Sequence, residues 1–271
     1  MIKEKANKAK LALYKLEFKL QKRSTIWWLA ILSILLIVDI VIYPLIDSML
    51  GVIPQDEMQE LENAGLSFDF SGVTQYYLIE CVQMLALGGA LFLCCFAINS
   101  LMRDFKGKQN ELLFTNSLSR SDIVLTKYFA SLTMTVIFNI LAFILSVISM
   151  MIVDIKGIEI VPMLSLTLSC LLVHLVLVTL TFTLFMFRPK KSGYGLALAV
   201  PLLLYFVAII GMSLTGENGL GFVEYLSPFT PAFDITIEKP FDINAWPLLI
   251  FAVLDIVLAY FALKKFKKQD F

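Results

Sequence analysis

The chain is 271 residues long, 59% hydrophobic and 16% charged, with a mean hydropathy of +0.82. That apolar excess excludes an ordinary water-soluble domain and places the chain in a membrane. Acidic and basic residues balance at 22 each, so no net charge invites nucleic acid, but the charges are strongly segregated along the chain.

Residues 2–23 hold seven Lys and one Arg against two Glu. Leu13, Leu16 and Leu20, with Ala6 and Ala9, recur at three- and four-residue spacing and so share one helical face. This reads as a basic amphipathic helix on an anionic membrane surface, the alternative being a disordered basic tail. Trp27 and Trp28 follow where interfacial aromatics are expected. The long polar start also argues against a cleavable signal peptide.

Six apolar spans come next, at about 26–46, 76–101, 123–153, 161–187, 194–214 and 246–263. The third is overlong, roughly 45 Å at helical rise, so its start around Ile123–Lys127 is expected to protrude. Gly193, Gly195, Pro201 and Gly211 predict a kinked or closely packed fifth span. In a six-span topology 20 of the 22 Lys and Arg fall on one side, leaving only Lys156 and Lys239 on the other. The positive-inside rule then makes both termini cytoplasmic.

Two polar stretches interrupt this plan. Arg103 to Val124 reads RDFKGKQNELLFTNSLSRSDIV, a polar island between apolar runs. Its apolar cluster, Leu112, Leu113, Phe114 and Leu118, fits a short surface helix. Ser119-Arg120-Ser121-Asp122 is an S-x-x-D start signal for the next helix. Such an element is well placed to receive force from a soluble partner. The second stretch, 215–245, carries Tyr225-Leu226-Ser227-Pro228-Phe229-Thr230-Pro231 and Phe233. So many aromatics and prolines fit short re-entrant helices covered by protein, the alternative being an ordinary folded outer loop.

Little catalytic chemistry is in sight. There is no phosphate-binding G-x-x-x-x-G-K-[ST] pattern and no H-E-x-x-H. The single histidine, His174, lies in the fourth span and reads as a packed or hydrogen-bonded helix residue. Cys81, Cys94, Cys95 and Cys170 all fall in apolar runs and read as buried thiols, so no metal site and no catalytic residue is expected. Asp39, Glu80 and Asp255 are ionisable groups inside spans, and such groups are costly. They either face a wet cavity or neighbouring hydroxyls, or, for Asp255 above all, contact a substrate or a gate. Met84, Leu87, Phe92 and Phe96 are candidates for lining a cavity that suits an apolar peptide, although the same residues suit plain packing.

The polar island, in the form E-L-L-x(4)-L-S-R-S-D-I-x(3)-K ending at Lys127, resembles the first cytoplasmic loop of ABC-2 type exporter permeases. The plan of the whole chain is similar too. The resemblance implies an all-α integral membrane fold, one domain over 1–271. It has an interfacial helix at 2–23, six transmembrane helices, a coupling helix within 103–122 and a re-entrant outer element at 215–245. It further implies that Glu111, Leu112, Leu113, Phe114, Leu118, Ser119 and Arg120 meet a separate ATPase subunit. Arg188 and Lys190 in the 188–193 turn would form a second, smaller contact. ATP and Mg would be bound by that partner ATPase and no cofactor by this chain. Within the family the chain looks most like small bacterial permeases that export peptides such as amphipathic toxins or bacteriocins. The expected partners are ABC ATPase subunits, a second permease copy or paralogue, anionic lipid and a peptide-like substrate, in the bacterial cytoplasmic membrane. A non-conducting scaffold or regulatory subunit is the competing function; an intramembrane enzyme is disfavoured by the missing base and ligand sets.

Overall fold

In the computed structural model of the protein, the residues described are 2–50, 72–105, 118–154, 156–187, 193–214 and 221–266. All regular structure among them is helical. The long helices are α1 (Ile2–Leu50), α3 (Gly89–Phe105), α4 (Arg120–Val153), α5 (Ile160–Phe187), α6 (Gly193–Ser213) and α8 (Trp246–Phe266). The short α2 (Val73–Tyr76) leads into α3 through two π-helical turns, Tyr77–Cys81 and Met84–Gly88. A 3-10 turn at Gly221–Leu226 and the four-residue α7 (Thr230–Phe233) precede α8. Six of these helices are long and apolar enough to cross a membrane, as the spacing of apolar runs predicts.

Local chemistry sets the ends. The Ser119 hydroxyl accepts from the Asp122 backbone N–H at 3.1 Å, which is the cap expected of S-x-x-D. At its other end α4 stops where Asp154 turns extended, and the Asp154 carboxylate accepts from the Lys156 backbone N–H at 3.0 Å. Pro162 and Pro247 sit in the first turns of α5 and α8, where a missing N–H costs nothing.

The start of the chain differs from expectation. No break separates an interfacial helix at 2–23 from a span at 26, because α1 runs unbroken through Arg23, Ser24 and Thr25. No glycine or proline interrupts it before Pro44, so nothing in the backbone favours a bend there. One side of this helix packs into the bundle. Leu13, Glu17 and Gln21 bury at four-residue spacing, whereas Leu16 and Leu20 stay exposed.

The second crossing, from α2 to α3, forms the centre of the bundle. Cys81, Ala86, Ala90, Phe92, Leu93, Ala97 and Ile98 are all buried, with α1, α4, α5 and α6 packed around them. The outward faces are apolar: Ile34 on α1, Leu203 on α6 and Ile256 on α8 are exposed, the inverse of a water-soluble protein. In α6, Gly193 permits close approach. A Cβ there would meet Ile98 Cγ2 at 2.6 Å and Phe185 Cε2 at 2.8 Å.

The segment before α8 folds back into the bundle. Its Ser227 hydroxyl donates to the Leu204 carbonyl at 2.6 Å, and Leu204 lies nine residues, roughly 13 Å at helical rise, inside the end of α6. Phe229 and Phe233 pack edge-on against Tyr205 with ring centroids 5.5 and 5.9 Å apart. Ser165 of α5 donates to the Pro240 carbonyl. Protein thus covers this non-helical backbone, as a re-entrant element requires.

Candidate functional site

The most charged part of the interior joins α1, α3 and α4. Glu17 projects from the buried stripe of α1, Ser100 and Arg103 from the last turns of α3, and Lys127 from the second turn of α4. Lys127 Nζ lies 2.7 Å from Glu17 Oε1 and also donates to the Ser100 carbonyl at 2.8 Å. The Ser100 hydroxyl donates to Glu17 Oε2 at 2.6 Å, and Arg103 pairs with the same oxygen. Both Glu17 and Lys127 side chains are only 2% exposed. Closer to the surface, Lys10 pairs with Asp122 at 2.6 Å. Buried pairs of this kind fix register more than they add stability. Here the register fixed is that of α1 against the two helix ends on either side of 106–117.

The expected coupling residues Glu111, Leu112, Leu113 and Phe114 lie outside the described residues, as do Arg188 and Lys190. Of the remainder, Leu118 and Arg120 are half-buried and Ser119 is exposed as the cap of α4. Another fastening lies at the end of α5. Lys265 of α8 donates to the Phe187 carbonyl at 3.1 Å and sits over the Phe187 ring.

The pathway candidates are not gathered into one cavity. Asp39 accepts from the Tyr76 hydroxyl at 3.1 Å, and Glu80 stands within electrostatic reach of it, both half-buried toward the opposite end of the bundle. Tyr76 in turn packs on Tyr43. Met84 lines an apolar cavity of about 220 Å³ between α1, the second π turn and α4. Phe92 and Phe96 are buried, packing on Trp28 and Phe18 of α1, and border a cavity of about 230 Å³ between α1, α3 and α6. Asp255 stands apart on α8, in a groove shared with α4 and α5.

Polar residues not singled out by the sequence line the α1–α3–α6 cavity. Asn99 donates to Gln21 Oε1 at 3.1 Å and accepts from the Tyr194 hydroxyl at 2.9 Å. Gln21 Nε2 is buried with no hydrogen-bond partner among the described residues. Asn99-Ser100 inside an otherwise apolar run was the readable signal.

His174 is fully buried and bonded on both ring nitrogens. Its Nδ1 lies 3.0 Å from Asn139 Nδ2, which can only donate, so Nε2–H donates to the Ala86 carbonyl at 3.0 Å. Ala86 sits in the second π turn, where its carbonyl also accepts from the Gly89 backbone N–H. Gly89 makes room, since a Cβ there would meet Phe138 Cε1 at 2.5 Å and His174 Cε1 at 2.7 Å. The histidine is thus the packed, hydrogen-bonded residue expected. Among the described residues no group of three His, Cys, Asp or Glu could hold a metal ion.

A comparison with curated proteins finds no match. A protein-family model described as "Multidrug efflux system permease Rv1217c, C-terminal domain" matches residues 13–267, nearly the whole chain. With its six membrane-crossing helices, the chain therefore belongs to this family of efflux permeases and is a transporter permease subunit rather than an enzyme.

Proposed function

We propose that the chain is the permease subunit of an ATP-driven exporter of the ABC-2 type, paired with a second permease copy or paralogue and worked by separate ATPase subunits. The buried cluster of Glu17, Ser100, Arg103 and Lys127 carries this reading. It welds α1 to the two helix ends that flank 106–117, so a push on that segment would move three helices as one block. A scaffold with no moving part would gain little from burying two cations and a carboxylate there, given what their desolvation costs.

In this reading both termini are cytoplasmic, and the segment 103–122 and the 188–193 turn dock on the ATPase. Arg188, Lys190 and Arg120 would lie at the rim of that contact. ATP and Mg belong to the partner. The substrate is an amphipathic or hydrophobic peptide, in keeping with one apolar cavity beside Met84 and one of mixed lining beside Phe92 and Phe96.

The test is reconstitution with a candidate ABC ATPase subunit, one that co-purifies with this chain, in vesicles holding a fluorescent amphipathic helical peptide. ATP-dependent peptide movement that stops when Leu118→Asp removes the ATPase contact is the expected result. Movement that needs no ATPase, or ATPase stimulation by sugars and not by peptide, would overturn the reading.

A further inference from the structure

Ala245, just before α8, and Ala252 and Ala259 on it recur every seven residues and so lie along one side of the helix. Their methyl groups fill little space. Between α8, α4 and α5 they leave a groove of about 530 Å³, within the range of small-molecule sites. Almost all of its wall is apolar. Exposed Leu249 and Ile256 stand at its edge, so it opens sideways toward whatever surrounds the bundle.

One charged side chain faces into this groove. Asp255 is 4% exposed, and its Oδ1 has no hydrogen-bond partner among the described residues. The nearby hydroxyls do not serve it, because Tyr128 and Thr179 bond each other at 2.8 Å. A buried oxygen left in this state is costly, and more ordinary side chains would fit the wall without that cost. An alkyl chain alone would leave the oxygen unpaired, and so would an anion, which brings no donor. With no second ligand grouped around Asp255, a metal ion is not held either. What completes the groove is an apolar body that brings its own N–H donor.

We infer that the α4–α5–α8 groove is a lateral binding site for a free amphiphilic amine, seated with its nitrogen on Asp255 and its apolar body along the alanine side of α8. A phospholipid amine is a poor occupant. Asp255 lies nine residues from Lys264, roughly 13 Å at helical rise, too deep for a headgroup held at the surface. This site needs no second protein, so its fate is independent of the ATPase coupling above.

The experiment is equilibrium binding of radiolabelled dodecylamine to the full chain in phosphatidylcholine nanodiscs, with labelled dodecanol as the neutral control. Two variants are compared: Asp255→Leu, which removes the carboxyl, and Ala252→Phe, which fills the groove and keeps it. The proposal expects saturable dodecylamine binding that weakens about tenfold or more in each variant. Dodecanol binding should be unchanged by Asp255→Leu. Should Asp255→Leu fail to fold, Ala252→Phe decides alone. Equal dodecylamine affinity in Ala252→Phe and wild type would overturn the site. So would uptake no greater than in empty discs, or displacement of the probe by phosphatidylethanolamine in the disc, which would assign the groove to a lipid.

Discussion

Glu17 and Lys127, separated by 110 residues in sequence, meet at 2.7 Å between Oε1 and Nζ with both side chains withdrawn from solvent. Neither α1 nor α4 could slide by one turn without breaking this pair and stranding a charge. Glu17→Gln removes the counter-charge shared by Lys127 and Arg103 and should cost about 3–5 kcal/mol. Lys127→Met on the same background should return part of the loss, because one stranded cation is gone. Thermal unfolding of the purified protein in detergent, run as a double-mutant cycle, checks it. Strictly additive losses would show that the pair does not act as a unit.

Glycine positions give a sharper structural test. Gly89→Ala forces a Cβ to within 2.7 Å of His174 Cε1 and should displace the ring from the Ala86 carbonyl. A loss of about 2 kcal/mol or more is expected from overpacking together with the lost His174 hydrogen bond. Gly195→Ala, where nothing lies within 4 Å, should be neutral or stabilise by up to ~1 kcal/mol, as alanine does in an open helix. The two melting temperatures should therefore move apart, and a common shift would refute the packing argument.

The re-entrant element should prove a folded part of the bundle. Phe229 is fully buried against Tyr205, so Phe229→Ala should destabilise by about 3–5 kcal/mol. Protection of backbone amides in 227–235, followed by hydrogen exchange, should fall in this variant before that of α5 does. Uniform loss of protection over the whole bundle would show that the element has no independent opening.

Orientation can be read by thiol labelling in a background without native cysteines. Single cysteines at Glu62 and Glu238 should react with an impermeant reagent from outside intact cells, and one at Lys108 should not. The charge asymmetry motivates this expectation. Reaction at Lys108 from outside would reverse the topology and remove the ATPase contact.

ATPase docking separates apolar from charged contributions. Leu113→Asp and Leu118→Asp should abolish co-purification of the ATPase, since buried apolar anchors dominate such contacts. Glu111→Gln should leave the complex intact and lower coupled transport, because rim charges tune specificity more than affinity. Membrane abundance of all three should stay near wild type.

Much of this architecture was readable in one dimension. Apolar run lengths placed the six crossings, S-x-x-D placed the start of α4, and the prolines and aromatics around Phe229 foretold a segment folded into the protein. Each of these signals is local. Glu17 was not legible because a single acid among lysines looks like a solvated face, and its partner is 110 positions away. The continuity of α1 was hidden by composition: a change from basic to apolar residues marks a change of surroundings, and the helix is indifferent to it. The pathway candidates were chosen by residue type alone. Depth along a span says nothing of which side faces which neighbour, and so Asp255 and Phe92 turned out to serve different clefts.

The wide turns before α3 act as a phase shifter. Each passes its backbone bonds to the fifth residue instead of the fourth, and one added residue advances every later side chain by about 100° around the axis. With both turns present, Tyr76 and Tyr77 reach Asp39 and Ser146 while Phe92 and Phe96 still point at α1. Deleting a residue between 77 and 88 would leave an intact helix whose two halves aim at the wrong neighbours. Spacing in this stretch is thus held by the partners at either end, and the wide turns are the means by which both are met at once.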